Sequence, residues 1–208
     1  MKQLVPVYDA IYTTLMSTWP MIALFVVIMA ILRIFRIIIK HERFLFYREL
    51  YNLFFIIYLL LLYYLLLSTE NASSGLNLIP FKEITRYSLT SAQFLYNVIG
   101  NIVLFIPFGL FVSDFIGAKK TYQILIVSIL ISLTAELIQF KIGRAFDIDD
   151  IILNVIGAII GYMFYKGLKT LKRKLPKILK NNLFYNLIAI VFLILIIVLF
   201  ANIWGLSL

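Results

Sequence analysis

The sequence has no cysteine and a single histidine, His41, in 208 residues. These absences exclude disulfides, thiolate nucleophiles, thiolate metal ligation and any metal centre built from several histidines. Charge is scarce as well: 14% of the residues are Asp, Glu, Lys or Arg, against about 25% in an average soluble domain. Apolar residues make up 63%, where roughly 45–50% is usual. So few charges cannot clothe a surface in contact with water, so the main solvent of this chain is lipid. Chemistry, if any, must rest on carboxylates, hydroxyls, amides or arginine, and no motif calls for a cofactor.

What is present is a series of apolar runs with charges only at their edges, at 20–38, 50–67, 97–116, 122–140, 150–165 and 184–204. A hydrocarbon core about 30 Å thick takes around 20 residues of helix, so each run fits one crossing. The fold class expected is all-α: a polytopic membrane bundle of about six transmembrane helices, placed in the cell membrane. The first run is read as a retained helix and not a signal peptide, because its basic flank (Arg33, Arg36, Lys40, Arg43) follows it.

Alternating the loops across the membrane puts fourteen of the nineteen basic residues on one side. Basic loops stay in the cytoplasm, so both termini are expected outside. The net charge of +9 is therefore read as topology and not as a nucleic-acid surface, since the basic residues flank apolar runs instead of alternating with aromatics. Residues 166–182, with seven basic residues and no acid, read as a cytoplasmic loop, either a topological anchor or a contact for anionic membrane lipid. On the outer side, Asn77-Leu-Ile-Pro-Phe81 is short and apolar and is expected to dip into the interface. Asn71-Ala-Ser73 fits a glycosylation acceptor, a match too short to carry an argument.

Polar residues inside spans are costly and mark candidate sites. Ser128, Ser132 and Glu136 recur every four residues and Gln139 follows, so one face of the fourth helix is polar and should point into the bundle. Such a stripe can also simply join helices. Asp147, Asp150, Asn154, Gly157 and Gly161 share a face of the fifth helix. Its two glycines permit close approach of another helix, and Asp147 is placed to cap the helix with Asp149 and Asp150 in the first turn. Arg144, beside them, is expected to pair with a carboxylate. The third helix contributes Asn97 and Asn101 near its outer end, and Pro107 and Gly109 deeper, with a kink expected at Pro107.

Taken in order, Asn77-Leu-Ile-Pro-Phe81, Asn97-x-x-x-Asn101-x-x-x-Phe105-x-Pro107-x-Gly109, Glu136-x-x-Gln139, Gly143-Arg144, Asp147-x-Asp149-Asp150, Asn154, Gly157 and Gly161 resemble the VanZ-like family. The resemblance divides the chain into 1–76 with two helices and the start of an outer loop, a VanZ-like core at 77–165 with three helices, and 166–208 with the basic loop and a last helix. It implies an association with resistance of Gram-positive bacteria to teicoplanin and related lipoglycopeptides, which act at the outer leaflet of the cell envelope.

Three functions are compatible with this reading. The first is a resistance or envelope factor whose outer pocket of Asn97, Asn101, Glu136, Gln139, Arg144, Asp147, Asp150 and Asn154 engages a lipid-linked cell-wall precursor or the lipoglycopeptide itself. The second is a membrane-embedded enzyme on a lipid-linked substrate, with Glu136 as general acid or base and Asp147, Asp149 and Asp150 around a divalent cation. The third is a transporter of lipid or a small molecule, with Glu136 and the Pro107 kink on its path; the absence of a helical repeat speaks against it.

Overall fold

A computed structural model describes residues 5–41, 43–67 and 75–203. Among them six helices are long and apolar enough to cross a membrane. The elements are α1 (Val5–Lys40), α2 (Phe46–Leu67), β1 (Leu76–Asn77), α3 (Lys82–Arg86), α4 (Ala92–Phe94), a π-helical turn (Leu95–Ile99), α5 (Gly100–Phe115), α6 (Thr121–Lys141), β2 (Phe146–Asp147), α7 (Ile148–Lys174), a 3-10 turn (Lys177–Lys180) and α8 (Asn182–Ile203). The segments from α4 to α5 form one span, Ala92–Phe115. Lys2 and Asn71-Ala-Ser73 lie outside the described residues.

Several helix ends follow from local chemistry. Ser91 caps α4, its hydroxyl accepting the Phe94 N–H at 3.1 Å. Before α6, the Gln123 side chain accepts the N–H groups of Lys119 and Lys120 at 2.8 and 3.0 Å. Gly143, at φ 93°, ends α6 in a Schellman turn: its own N–H returns to Phe140 at 3.2 Å and that of Arg144 to Gln139 at 3.0 Å.

Two expectations need correction. The fifth helix does not stop at 165 but continues to Lys174, because 166–174 are mostly Lys, Leu and Arg, strong helix formers, and no proline intervenes before Pro176. The first half of the expected basic loop is thus helix. The first helix likewise begins well before 20 and runs through Pro20. α5 runs helically through Pro107, and the backbone of the same span also turns irregular upstream, in the π turn at Leu95–Ile99.

The chain divides into two compact units, Met1–Leu60 with Lys174–Leu208, and Leu61–Arg173. In the first, Arg33 grips Glu49 bidentately, Nε to Oε2 at 2.8 Å and Nη2 to Oε1 at 2.7 Å. The Tyr47 N–H meets Asn186 Oδ1 at 3.0 Å, and the Phe54 and Phe192 rings meet edge to face. Large apolar side chains remain exposed along α1 and α8, as lipid-facing helices require.

In the second unit α5 and α7 touch through their backbones. A Cβ at Gly157 would strike the Ile102 carbonyl, one at Gly161 the Ile106 carbonyl, and one at Gly109 the carbonyl of Ala158. The G-x-x-x-G face of α7 is therefore matched by Gly109 on α5. Phe105, Ile124, Ala158 and Tyr162 fill the core around this contact, and α6 turns its polar stripe inward: Ser128, Ser132, Glu136 and Gln139 are all buried. At one end of the unit β1 and β2 pair in parallel, Leu76 with Phe146 and Asn77 with Asp147.

Candidate functional site

At the end of this unit where β1 meets β2 lies a polar cavity of about 730 Å³. Its walls come from α3 (Lys82, Glu83, Arg86), from the Ala92–Phe115 span (Gln93, Asn97, Asn101) and from the start of α7 (Asp149, Asp150). Arg144, Asp147, Tyr87 and Tyr96 complete the polar and aromatic lining.

One buried carboxylate organises the wall. Asp149 is 1% exposed and accepts three backbone N–H groups of the α3 segment, from Phe81 at 2.5 Å, Glu83 at 2.8 Å and Ile84 at 3.2 Å. It satisfies the otherwise orphaned donors at the start of α3 while sitting in the first turn of α7, where the helix dipole favours negative charge. Phe81 reaches this geometry with φ 66°, a left-handed conformation that is costly for an aromatic residue and that the three hydrogen bonds hold in place.

Asp147 does what its position before the helix suggested. Its Oδ1 caps α7 by accepting the Asp149 N–H at 2.8 Å, and the same oxygen accepts Asn77 Nδ2 at 2.8 Å. Burial pushes the Asp147 carboxyl above its ordinary value; the two hydrogen bonds oppose this, and the negative charges of Asp149 and Glu83 add to it. For an acid whose folded value is raised, ionisation costs stability as pH climbs past the unfolded value toward the folded one. Both hydrogen bonds use one oxygen, so Asp147→Asn keeps them and removes the half-buried charge. We expect Asp147→Asn to match or exceed the wild-type unfolding temperature in detergent at neutral pH, whereas Asp147→Ala loses about 1–2 kcal/mol with the cap.

The residues singled out in the sequence fall into two sets. Asn97, Asn101, Arg144, Asp147 and Asp150 line the cavity, and Asn101 Nδ2 donates to Asp150 Oδ1 at 2.6 Å, fixing that carboxylate. Glu136, Gln139 and Asn154 are buried behind it. Glu136 Oε2 accepts the Asp147 N–H at 2.9 Å. Gln139 Nε2 and Arg144 Nη1 both donate to the Leu66 carbonyl, at 2.6 and 3.1 Å, tying the end of α2 to the site. Asn154 Nδ2 donates to Ser132 Oγ at 2.9 Å. Pro107, Gly109, Gly157 and Gly161 lie below, at or beside the α5–α7 contact.

Sequence reasoning missed Lys82, Glu83, Arg86, Gln93, Tyr87 and Tyr96. The Arg86–Glu83 pair, 3.1 Å apart, had a sequence signal, an i,i+3 spacing of opposite charges directly after Asn77-Leu-Ile-Pro-Phe81. Among the described residues, no group of three or more His, Asp or Glu side chains is arranged to hold a metal ion; Asp149 and Asp147 instead spend their oxygens on backbone and amide donors. What the arrangement offers is a wall of amides, carboxylates, cationic groups and tyrosines, suited to a ligand rich in hydroxyl, amine or amide groups.

The model of the VanZ/LLP1 family matches residues 55–173, which contain the cavity and every residue that lines it. Protein VanZ of Enterococcus faecium is 34% identical over 125 residues, covering 58% of this chain and 70% of that protein. No solved structure matches the chain. With the family model covering more than half of the sequence and the cavity lying within it, the chain belongs to the VanZ/LLP1 family.

Proposed function

We propose that this protein is a resistance or envelope factor of the cell membrane, whose cavity faces outward and engages the polar part of a lipid-linked or surface-bound envelope molecule. The consequence for the cell is tolerance of teicoplanin and related lipoglycopeptides. The observation that carries the reading is the polar cavity itself, at one end of an otherwise apolar bundle and within the family-matched residues. The charge pattern supports its direction: Lys119, Lys120, Lys166, Lys169, Lys172 and Arg173 belong to the opposite end of the same unit, which the positive-inside rule assigns to the cytoplasm, with both termini outside.

In this reading Asp150 and Asn97 contact the ligand, Arg144 presents its guanidinium from the rim, and Asn101 orients Asp150. Glu136, Gln139 and Asn154 hold the wall from behind. A sensitive Gram-positive host that makes this protein tolerates more teicoplanin than the same host without it. Asp150→Asn, which keeps an oxygen for Asn101 but removes the charge, abolishes the gain at equal membrane levels. Full protection by Asp150→Asn at equal levels contradicts the reading.

A second reading has one observation in its favour. Asp150 lines the cavity and Glu136 is buried behind the same wall, accepting the Asp147 N–H at 2.9 Å, and a cavity carboxylate backed by a second one is able to share acid and base roles with it on a lipid-linked substrate. It requires that Asp150→Asn block turnover of an envelope lipid while leaving its retention by the purified protein intact.

A further inference from the structure

The segment that closes one side of the cavity has two chemically different parts. Lys82, Glu83 and Arg86 face the cavity, while just before them Leu78, Ile79 and Phe81 are 56%, 62% and 57% exposed. Three large apolar side chains in a run of four residues, on a loop, need a cover.

Their position supplies it. The Phe81 N–H is 2.5 Å from Asp149, Asn77 is 2.8 Å from Asp147, and Asp149 belongs to the first turn of the membrane span Ile148–Lys174. The backbone of 77–81 is therefore held at the depth where that span begins. An aromatic or branched apolar side chain at this depth reaches about 5–10 Å into the boundary between headgroups and acyl chains. Tyr87 and Tyr96, on the cavity side, are the residue type that favours this same layer. The mouth of the cavity and the apolar tip thus share one level, that of the first turn of this span.

We propose that residues 78–81 enter the lipid interface as an apolar wedge, and that the cavity beside them receives the polar head of a membrane-resident amphiphile whose apolar part stays in the bilayer. This rests on the binding reading above and narrows it: the ligand arrives from the membrane and not from the surrounding water. The short parallel pairing of β1 with β2 and the three hydrogen bonds to Asp149 keep the wedge and the polar wall in fixed register.

The test uses the full chain in vesicles of phosphatidylglycerol and phosphatidylcholine, with both native tryptophans, Trp19 and Trp204, replaced by phenylalanine. Phe81→Trp in that background reports on the wedge. Lipids brominated at shallow acyl positions quench its emission, and aqueous iodide does not. Tyr96→Trp reports on the cavity mouth. Phosphatidylcholine bearing a nitroxide on its headgroup quenches it more strongly than the same nitroxide on soluble choline. Emission from Phe81→Trp quenched by iodide, or by neither quencher as under a second protein chain, overturns the wedge. Quenching of Tyr96→Trp by the soluble nitroxide alone overturns entry from the bilayer. Both readouts are independent of drug tolerance, so a failure of the resistance reading leaves them standing and a failure here leaves that assay interpretable.

Discussion

Asp149→Ala is expected to destabilise the protein by about 3 kcal/mol and to release the segment from β1 to α4. The carboxylate is 1% exposed and takes three backbone N–H groups. Each buried donor left without a partner costs roughly 1–3 kcal/mol, and water entering from the half-exposed α3 side recovers part of the total. The left-handed Phe81 loses its restraint at the same time. Thermal unfolding in mild detergent gives the first number, and trypsin cleavage at Lys82 and Arg86 reports release of the wall. Asp149→Asn falls between, since its amide still accepts through one oxygen but turns an NH2 group toward backbone donors. If Asp149 only complemented the α7 dipole, both variants would lose well under about 1 kcal/mol and the trypsin sites would stay protected.

The second large effect is expected at the α5–α7 contact. Gly161→Leu places a Cβ onto the Ile106 carbonyl with the Leu110 amide beside it, and backbone on both sides cannot yield as a side chain would. Overpacking of a rigid contact costs about 3 kcal/mol, and the helices separate or fail to assemble, with a matching drop in the unfolding temperature. Gly167 on the same helix is the internal control. A Cβ there meets nothing within 4 Å, so Gly167→Ala is neutral or stabilises by up to about 1 kcal/mol through helix propensity. Equal losses at 161 and 167 would mean that the glycines act through backbone flexibility and not through contact.

The sequence exposed the spans because lipid leaves the backbone no partner but itself, which forces long apolar runs that are visible in one dimension. The inward stripe of Ser128, Ser132, Glu136 and Gln139 was legible for a similar reason, since a helical repeat maps sequence spacing onto a face. The cap at Asp147 and the close approach at Gly157 and Gly161 were legible from residue type and spacing together. Hidden from such reasoning was the closure of the site. Asn77 and Asp147 meet across seventy residues of sequence, and no local periodicity links a two-residue strand to the start of a distant helix. Asp149 looked like an ordinary first-turn acid, because what distinguishes it is three donors from another segment. The end of α7 was misjudged because apolar periodicity stops at the membrane boundary, while helix propensity continues through the lysines to Lys174.

The central claim is that the polar cavity opens on the outer side of the membrane, and the lack of native cysteine makes it directly measurable. Gln93→Cys, at the cavity wall, and Lys119→Cys, between α5 and α6, are each treated in intact cells with a membrane-impermeant maleimide. Gln93→Cys is expected to label in intact cells, and Lys119→Cys only after the cells are opened; labelling of Lys119→Cys in intact cells with Gln93→Cys protected would put the cavity on the cytoplasmic side.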